Sequence, residues 1–440
     1  MIGILLGLLL LVFLSYKGYS IIWVAPLSAI VVALFGFGLD GKAILESYTE
    51  QYMTSLAGFT KSWFPLFFLG AVFGKMMDLT GSASAVANLL VRFIGAKRAL
   101  LGVIVSCAVL TYGGVSLFVV VFAIYPLALS LFREANLPRR LIPGAIALGA
   151  FTFTMTALPG SPQLNNIIAG KYFNTTPYAA PIMGTVAGLV MFGLGYLYLH
   201  WKQEKLVAAG EVFTEPTNVI VDDEKAKNLP NEYIAILPLI IVVVALYILS
   251  KVIKLPITPA SILSLLLGNI AVAFFNIGKA KVFVKALNEG SSGSVVAILN
   301  TAAAVGFGGV VRAVPGFQVL TDKLLNIDAS PLISEALSIT LLAGATGSSS
   351  GGMGIALEAL GGQYVEIAKT LGMNIEAFHR VATVASGGLD SLPHCGAVIT
   401  LLAVTGMTHK DSYNDIGMVT CVIPLVALAV AIIMGMMGIV

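Results

Sequence analysis

Long apolar runs separated by short polar interruptions dominate this chain, and the runs lack the two-residue alternation of half-buried strands. Uncharged stretches run from Arg98 to Arg133, Arg140 to Lys171, Lys171 to Lys202, Lys254 to Lys279 and Asp415 to the C-terminus. Each exceeds the roughly 20 residues that a membrane-spanning helix needs. The pattern predicts helices over 2–15, 21–38, 62–78, 138–170 and 179–200, and again over 233–250, 259–276, 292–309, 375–408 and 414–438. The first run, Ile2 to Leu14, has no basic residues before it and no small-residue cleavage site after it, so it reads as a retained helix. Stretches 99–132 and 331–370 are long, uncharged near their centres and interrupted there, which predicts re-entrant hairpins.

Residues 201–232 break the pattern. They carry Lys202, Glu204, Lys205, Glu211, Glu215, Asp222, Asp223, Glu224, Lys225 and Lys227 with two prolines, the composition of a solvated linker. On either side, 1–200 and 233–440 look like copies. Gly41-Lys42-Ala43 recurs as Gly278-Lys279-Ala280, each opening an amphipathic stretch suited to the membrane interface, and Pro26 answers Pro259. Leu158-Pro159-Gly160-Ser161 answers Leu392-Pro393-His394-Cys395, with Tyr178 and Tyr413 following at similar intervals. Five crossings in each copy force the second upside down relative to the first. The expected fold is therefore an all-α polytopic membrane protein of two inverted five-helix repeats, each with a re-entrant hairpin (99–132, 331–370) and a broken helix (138–170, 375–408).

Composition agrees and removes whole classes of function. Of 440 residues, 58% are hydrophobic and 11% charged, which excludes a soluble protein, and a net charge of +3 gives no electrostatic basis for a nucleic-acid partner. Cys107, Cys395 and Cys421 are far apart in apolar surroundings, so neither a disulfide nor a metal site is expected. The positions of the cations are more informative than their sum. Most of the 25 Lys and Arg, among them Lys17, Lys75, Arg92, Arg140, Lys202 and Lys279, collect on one face. The positive-inside tendency makes that face cytoplasmic, with the linker inside, both termini outside and the hairpins entering from opposite sides.

Interruptions at membrane depth strand backbone groups unless they are buried in protein or line an aqueous cavity. Thr111 to Ser116 interrupts the first hairpin and Thr346 to Gly352 the second. Thr156 to Asn166 interrupts the first broken helix, and Ser386 to His394 its counterpart. A hairpin tip frees N–H groups at the start of its outgoing helix, where the helix dipole also favours an anion. Glycines let the backbone approach, and Ser, Thr, Asn and Gln side chains supply donors and acceptors. Tyr112, Gly113, Gly114, Ser116, Thr156, Ser161, Gln163, Asn165, Thr346, Ser348, Ser349 and Ser350 are the candidate substrate-binding residues, for a small organic anion. Freed carbonyls and hydroxyls at the same places suit Na+ equally well.

Asp390 and His394 lie in the middle of an apolar segment, where an ionisable group is expensive and is read first as functional. They are the candidate proton-coupling pair, with Na+ near Asp390 or Ser391 as the alternative; no other cofactor and no fixed metal is expected. Glu358 and Glu335 in the second hairpin are weaker candidates. His379 and Arg380, at the start of the second broken helix, read as part of its external mouth, and Lys75 with Asp78 as a helix-end pair.

Phe73-Gly74-Lys75-Met76-Met77, the basic-flanked first hairpin, Leu158-Pro159-Gly160-Ser161-Pro162 and Asp390-Ser391-Leu392-Pro393-His394 together resemble the gluconate permease family of the ion transporter superfamily. The resemblance spans the whole chain. It implies a homodimeric scaffold, an elevator-like movement of the hairpin-bearing core, and proton symport of a small sugar acid or hydroxy acid across the inner membrane. Sugar-acid members look more like Leu-Pro-Pro-His-Pro-Gly-Pro at the first break, whereas this chain has no histidine there. With few polar groups besides hydroxyls and amides, its core suits a less hydroxylated monocarboxylate such as 3-hydroxybutyrate better than gluconate. A sodium-coupled carboxylate symporter is the near alternative. A channel, or an intramembrane hydrolase using Ser391, is remote, and an enzyme is not expected.

Overall fold

The computed structural model describes residues 2–17, 19–95, 98–216, 229–317, 319, 330–393 and 395–440, with backbone only for 12, 15, 16, 118, 122 and 345. His394 and the linker charges from Asp222 to Lys227 therefore lie outside the described residues. The described residues contain helices and no strands. In order, α1 is Ile2–Tyr16, α2 Ile21–Phe37, α3 Gly41–Leu79, α4 Ser82–Ile94, α5 Ala99–Tyr112, α6 Leu117–Glu134, α7 Ile142–Ala150, α8 Leu164–Phe173 and α9 Pro181–Ala208. After the linker come α10 Glu232–Val252, α11 Ile257–Phe275, α12 Ile277–Ala313, α13 Pro331–Thr346, α14 Ser349–Leu371, α15 Ile375–Ser386, α16 Gly396–Thr405 and α17 His409–Met436. Six of these, α3, α9, α10, α11, α12 and α17, are long and apolar enough to cross a membrane. The protein is an all-helical polytopic membrane protein.

Element order repeats between the halves, and so does packing. Helix α1 lies on α2 as α10 lies on α11; α2 packs on α12 as α11 packs on α3. Helices α5 and α6 form one hairpin, α13 and α14 the other. The first part of each broken helix (α7, α15) packs on the incoming arm of its own hairpin, α5 or α13. The second part (α8, α16) packs on the outgoing arm of the opposite hairpin, α14 or α6. This exchange welds hairpins and broken helices into one body, closed by α9 against α17. Helices α1 to α3 and α10 to α12 gather as a second body around the α3–α12 pair, and α12 also packs extensively along α14 of the first.

Two differences from the sequence reading have local causes. The amphipathic stretches opened by Gly-Lys-Ala do not end before the following crossing; each runs into it as the single helices α3 and α12. A π-helical turn at Ser47–Tyr52 absorbs the change of face in α3, and neither Gly58 nor Pro65 stops it. Small residues then let α3 and α12 approach closely: a Cβ on Gly309 would sit 2.7 Å from the Gln51 carbonyl oxygen, and one on Gly290 2.8 Å from the Val72 backbone. The first broken helix opens earlier than expected. Helix α7 ends at Ala150, a single turn covers Phe153–Thr156, and α8 resumes at Leu164. Thr152 and Thr154 explain the early stop, because their hydroxyls donate back to the Leu148 and Gly149 carbonyls at 2.6 and 2.8 Å and bend the chain.

The described residues after α9 pack against the first hairpin. Helix α9 continues to Ala208, and beyond it Arg133 holds Glu215 through two bonds of 2.7 Å while stacking on Phe213. Phe213 N–H donates to Asn136, and Arg140 pairs with Glu211 at 3.5 Å. Lys75 pairs with Glu289 of α12 at 3.1 Å, tying the ends of the α3–α12 pair.

Candidate functional site

The four interruptions meet. At the first hairpin tip, residues 113–116 join α5 to α6, and Gly114 has φ +97°, a conformation that would strain other residues. Tyr112 donates its hydroxyl to the Pro159 carbonyl at 2.8 Å, and Gln163 donates to the Thr111 and Val115 carbonyls at 2.6 and 3.4 Å. Tip and first break are thus bound across some fifty residues of chain. Ser116 precedes α6, and the Val120 amide donates to its carbonyl in the first helical bond.

The two breaks touch each other. Asn165, at the start of α8, donates to the Ser386 hydroxyl at 2.7 Å, and Ser386 donates to the Thr383 carbonyl. A Cβ on Gly387 would sit 2.8 Å from the Thr156 methyl, so the second break rests directly on the first. Thr156 itself donates to the Thr152 carbonyl.

The second tip joins the other side. Gly347, φ +60°, ends α13, and Ser348 caps α14 by accepting from the Gly351 amide at 3.1 Å. Thr346 donates to the Leu342 carbonyl, bracing the tip. Gly344 packs against Leu389, and the Thr340 hydroxyl donates to the Ala385 carbonyl at 3.1 Å. Asp390 is buried, accepts from the Ser391 hydroxyl at 3.1 Å and interacts with Ser349 and with the Asp390 and Ser391 amides. Cys395 and Cys421 lie near its carboxyl. Ser350 is half-buried in the first turn of α14. These contacts run as a chain from the first tip through the two breaks to Asp390 and the second tip, while Gly113 itself packs against Leu239 of α10 and Gly114 against Pro162 and Leu265.

Two hydroxyls there are distinctive. Ser161 and Thr111 are buried, and neither side-chain oxygen has a hydrogen-bond partner. Buried hydroxyls ordinarily find partners, so these mark the region as polar beyond what folding uses.

The sequence reading missed a buried charged group. His379 and Arg380 do not lie at an external mouth; both are fully buried. Asn166 organises them. Its amide donates to the Ser161 and Pro177 carbonyls, both at 2.9 Å, which leaves its oxygen to accept from His379 Nε2 at 2.8 Å. His379 Nδ1 then accepts from the Thr175 hydroxyl at 2.6 Å, fixing the tautomer. Arg380 donates to the Ala179 carbonyl at 2.6 Å and makes longer contacts to Asn166, Thr383 and Pro177. The guanidinium lines the first break from behind, near Tyr112, and Glu376 contributes charge from one turn away while accepting from the Ala180 amide. A basic pair opening an amphipathic helix reads as surface; only the turn at 174–180, which points its carbonyls inward, makes it interior.

Glu358 joins the two bodies. It accepts from Tyr172 of α8 at 2.8 Å and pairs at 3.1 Å with Arg312 of α12, which also donates to the Glu358 carbonyl. Next to Tyr172, Lys171 stacks on Trp63 of α3 at 4.8 Å.

No family model matches the chain. Over its whole length it is 41% identical to a Bacillus subtilis (strain 168) protein described as the uncharacterized transporter YxjC, with 100% of both chains covered. A Haemophilus influenzae protein described as an uncharacterized transporter is 25% identical over 397 residues, covering 89% of this chain and 88% of that one. Among solved structures, the Alcanivorax borkumensis YdaH transporter, described as having an unusual topology, is similar with a TM-score of 0.55 at 15% identity, over 90% of this chain and 89% of that one. That likeness concerns the fold alone.

Proposed function

Because the chain belongs to the transporter family that includes YxjC of Bacillus subtilis, we propose that it is a secondary active transporter carrying a small hydroxymonocarboxylate inward with protons. The observation that carries this reading is the chain of contacts that links the two hairpin tips through the two touching breaks, Gln163–Thr111, Asn165–Ser386 and Asp390–Ser349. Such a place offers free helix N-termini, hydroxyls and amides to an anion. The substrate carboxylate sits between Gly113–Ser116 and Ser348–Ser350, and Ser161, Gln163 and Asn165 contact its oxygens. The unpartnered Ser161 and Thr111 hydroxyls suit a ligand with one hydroxyl, 3-hydroxybutyrate rather than gluconate. Kinship with gluconate permeases is part of this proposal.

The two bodies support an elevator movement. The hairpins and broken helices move as one against α1 to α3 and α10 to α12, and the second body supplies a homodimer interface in the inner membrane. The two halves, 1–200 and 233–440, are inverted, with re-entrant hairpins, a cytoplasmic linker and both termini outside. Asp390, with His394, carries the coupling proton. Asp390 with Ser349 and Ser391 equally resembles an oxygen site for Na+, which favours a sodium-coupled symporter as the second reading.

Uptake of labelled 3-hydroxybutyrate into proteoliposomes separates these readings. A pH gradient, acid outside, is expected to drive accumulation without Na+, and Asp390→Asn to abolish the drive while leaving exchange. Dependence on a Na+ gradient at constant pH selects the second reading, and no response to either gradient rejects both.

A further inference from the structure

Glu335 lies in α13, about three turns from the tip of the second hairpin and apart from the site just described. It is fully buried, and neither carboxylate oxygen has a hydrogen-bond partner. Asp390 shows the contrast, since two hydroxyls and backbone amides surround it. Serine and threonine in this protein mostly satisfy themselves on the preceding turn; a glutamate cannot.

Among the described residues, the groups facing it offer no counter-charge. From α14 comes Tyr364, also buried, whose hydroxyl lies near Glu335 without bonding to it and 3.4 and 3.5 Å from the Ser334 and Ser338 hydroxyls. Glu358 on the same helix is engaged by Arg312 and Tyr172, and Glu366 pairs with Lys369 at the surface. On α15, Glu376, His379 and Arg380 are occupied with residues 166–180. Helix α17 meets α13 through its apolar last turns, where Leu332 contacts Gly435, and α1 brings no titratable side chain before Tyr16, its last residue.

A carboxylate stripped of water and given no donor is far less favourable than the neutral acid, so this packing is compatible with the acid alone. We propose that Glu335 is a proton-binding site in the second hairpin, distinct from the Asp390 region, and that its proton holds the incoming arm packed against α14 and α15. Opening the hairpin admits water and releases the proton; the resulting carboxylate then opposes repacking. Linkage makes the effect reciprocal: whatever moves the arm changes proton occupancy, and pH changes the arm.

Two measurements on the full-length protein in nanodiscs test this, and neither uses a transported substrate, so their failure is separate from failure of the transport reading. Infrared spectroscopy at about pH 7 is expected to show a protonated carboxyl band that disappears in Glu335→Gln and moves in Glu335→Asp. Thiol labelling of Ser350→Cys, with the three native cysteines replaced by alanine and each rate divided by that of a free thiol at the same pH to cancel thiolate formation, is expected to rise about tenfold between about pH 5 and pH 8 and to stay nearly flat in Glu335→Gln. Should Glu335→Gln fail to fold, Glu335→Asp and titration of the band in the unsubstituted protein carry the test. Absence of the band at pH 7, or an unchanged pH dependence of labelling in the folded Glu335 variants, overturns the proposal.

Discussion

Replacing Asn166 with alanine tests whether the first break is held by the buried His379–Arg380 group. The substitution removes three bonds of 2.8 to 2.9 Å at once, to the Ser161 and Pro177 carbonyls and from His379. It strands those partners where Asn166 is 2% exposed and water does not replace them. At about 1 kcal/mol for each bond in a membrane-protein interior, the loss is about 3 kcal/mol. Asn165, the next residue and equally buried, makes a single side-chain bond, to Ser386. Asn165→Ala is expected to cost about 1 kcal/mol. Reversible unfolding in mixed micelles, read by tryptophan fluorescence, measures both. An Asn166→Ala loss no larger than that of Asn165→Ala refutes the view that Asn166 organises the region.

Other substitutions probe the bodies around the site. A Cβ on Gly352 would lie 2.1 Å from the Ala343 amide nitrogen, and backbone cannot give way, so Gly352→Ala is expected to disrupt the second hairpin and lower the yield of folded protein severalfold. Gly362, in the same helix with open space around it, is the control: Gly362→Ala is expected to be neutral or to gain about 0.5–1 kcal/mol in the same unfolding assay. Across the two bodies, a double-mutant cycle on Arg312→Gln and Glu358→Gln is expected to give a coupling of about 1 kcal/mol, the half-exposed arginine keeping it small. In the linker, the Arg133 side chain holds the Glu215 carboxyl below its usual range. That contribution is present above the unfolded value and is lost as pH falls through the folded one, so protease cleavage near Glu215 is expected to accelerate in acid and in high salt, and to be acid-insensitive in Arg133→Gln.

The breaks that make up the candidate site were legible because nonhelical backbone in an apolar stretch is written in residue type. Tyr112-Gly113-Gly114, Gly347-Ser348 and Ser386-Gly387-Gly388 stand where helices end, and Pro159-Gly160 lies in the gap between two helical segments. Position in the fold was less visible. The amphipathic openings of α3 and α12 read as separate surface segments because a change of face in sequence resembles a change of element; in α3 a π-turn reconciles the two faces, and α12 runs on from a 3-10 turn at Ile277–Lys279. His379 and Arg380 read as external because a charge is costed against solvent or lipid, whereas here the carbonyls of Pro177 and Ala179, brought by a loop some two hundred residues earlier, receive it. Arg312–Glu358 joins residues 46 apart on different bodies, and no local pattern announces such a pair.

Whether the four interruptions form one substrate site is decided by a structure of the protein in lipid nanodiscs with 3-hydroxybutyrate. Density for one carboxylate is expected between Gly113–Ser116 and Ser348–Ser350, within hydrogen-bonding reach of Ser161 or Asn165. Ordered ligand elsewhere, with these residues still closed on one another, contradicts it.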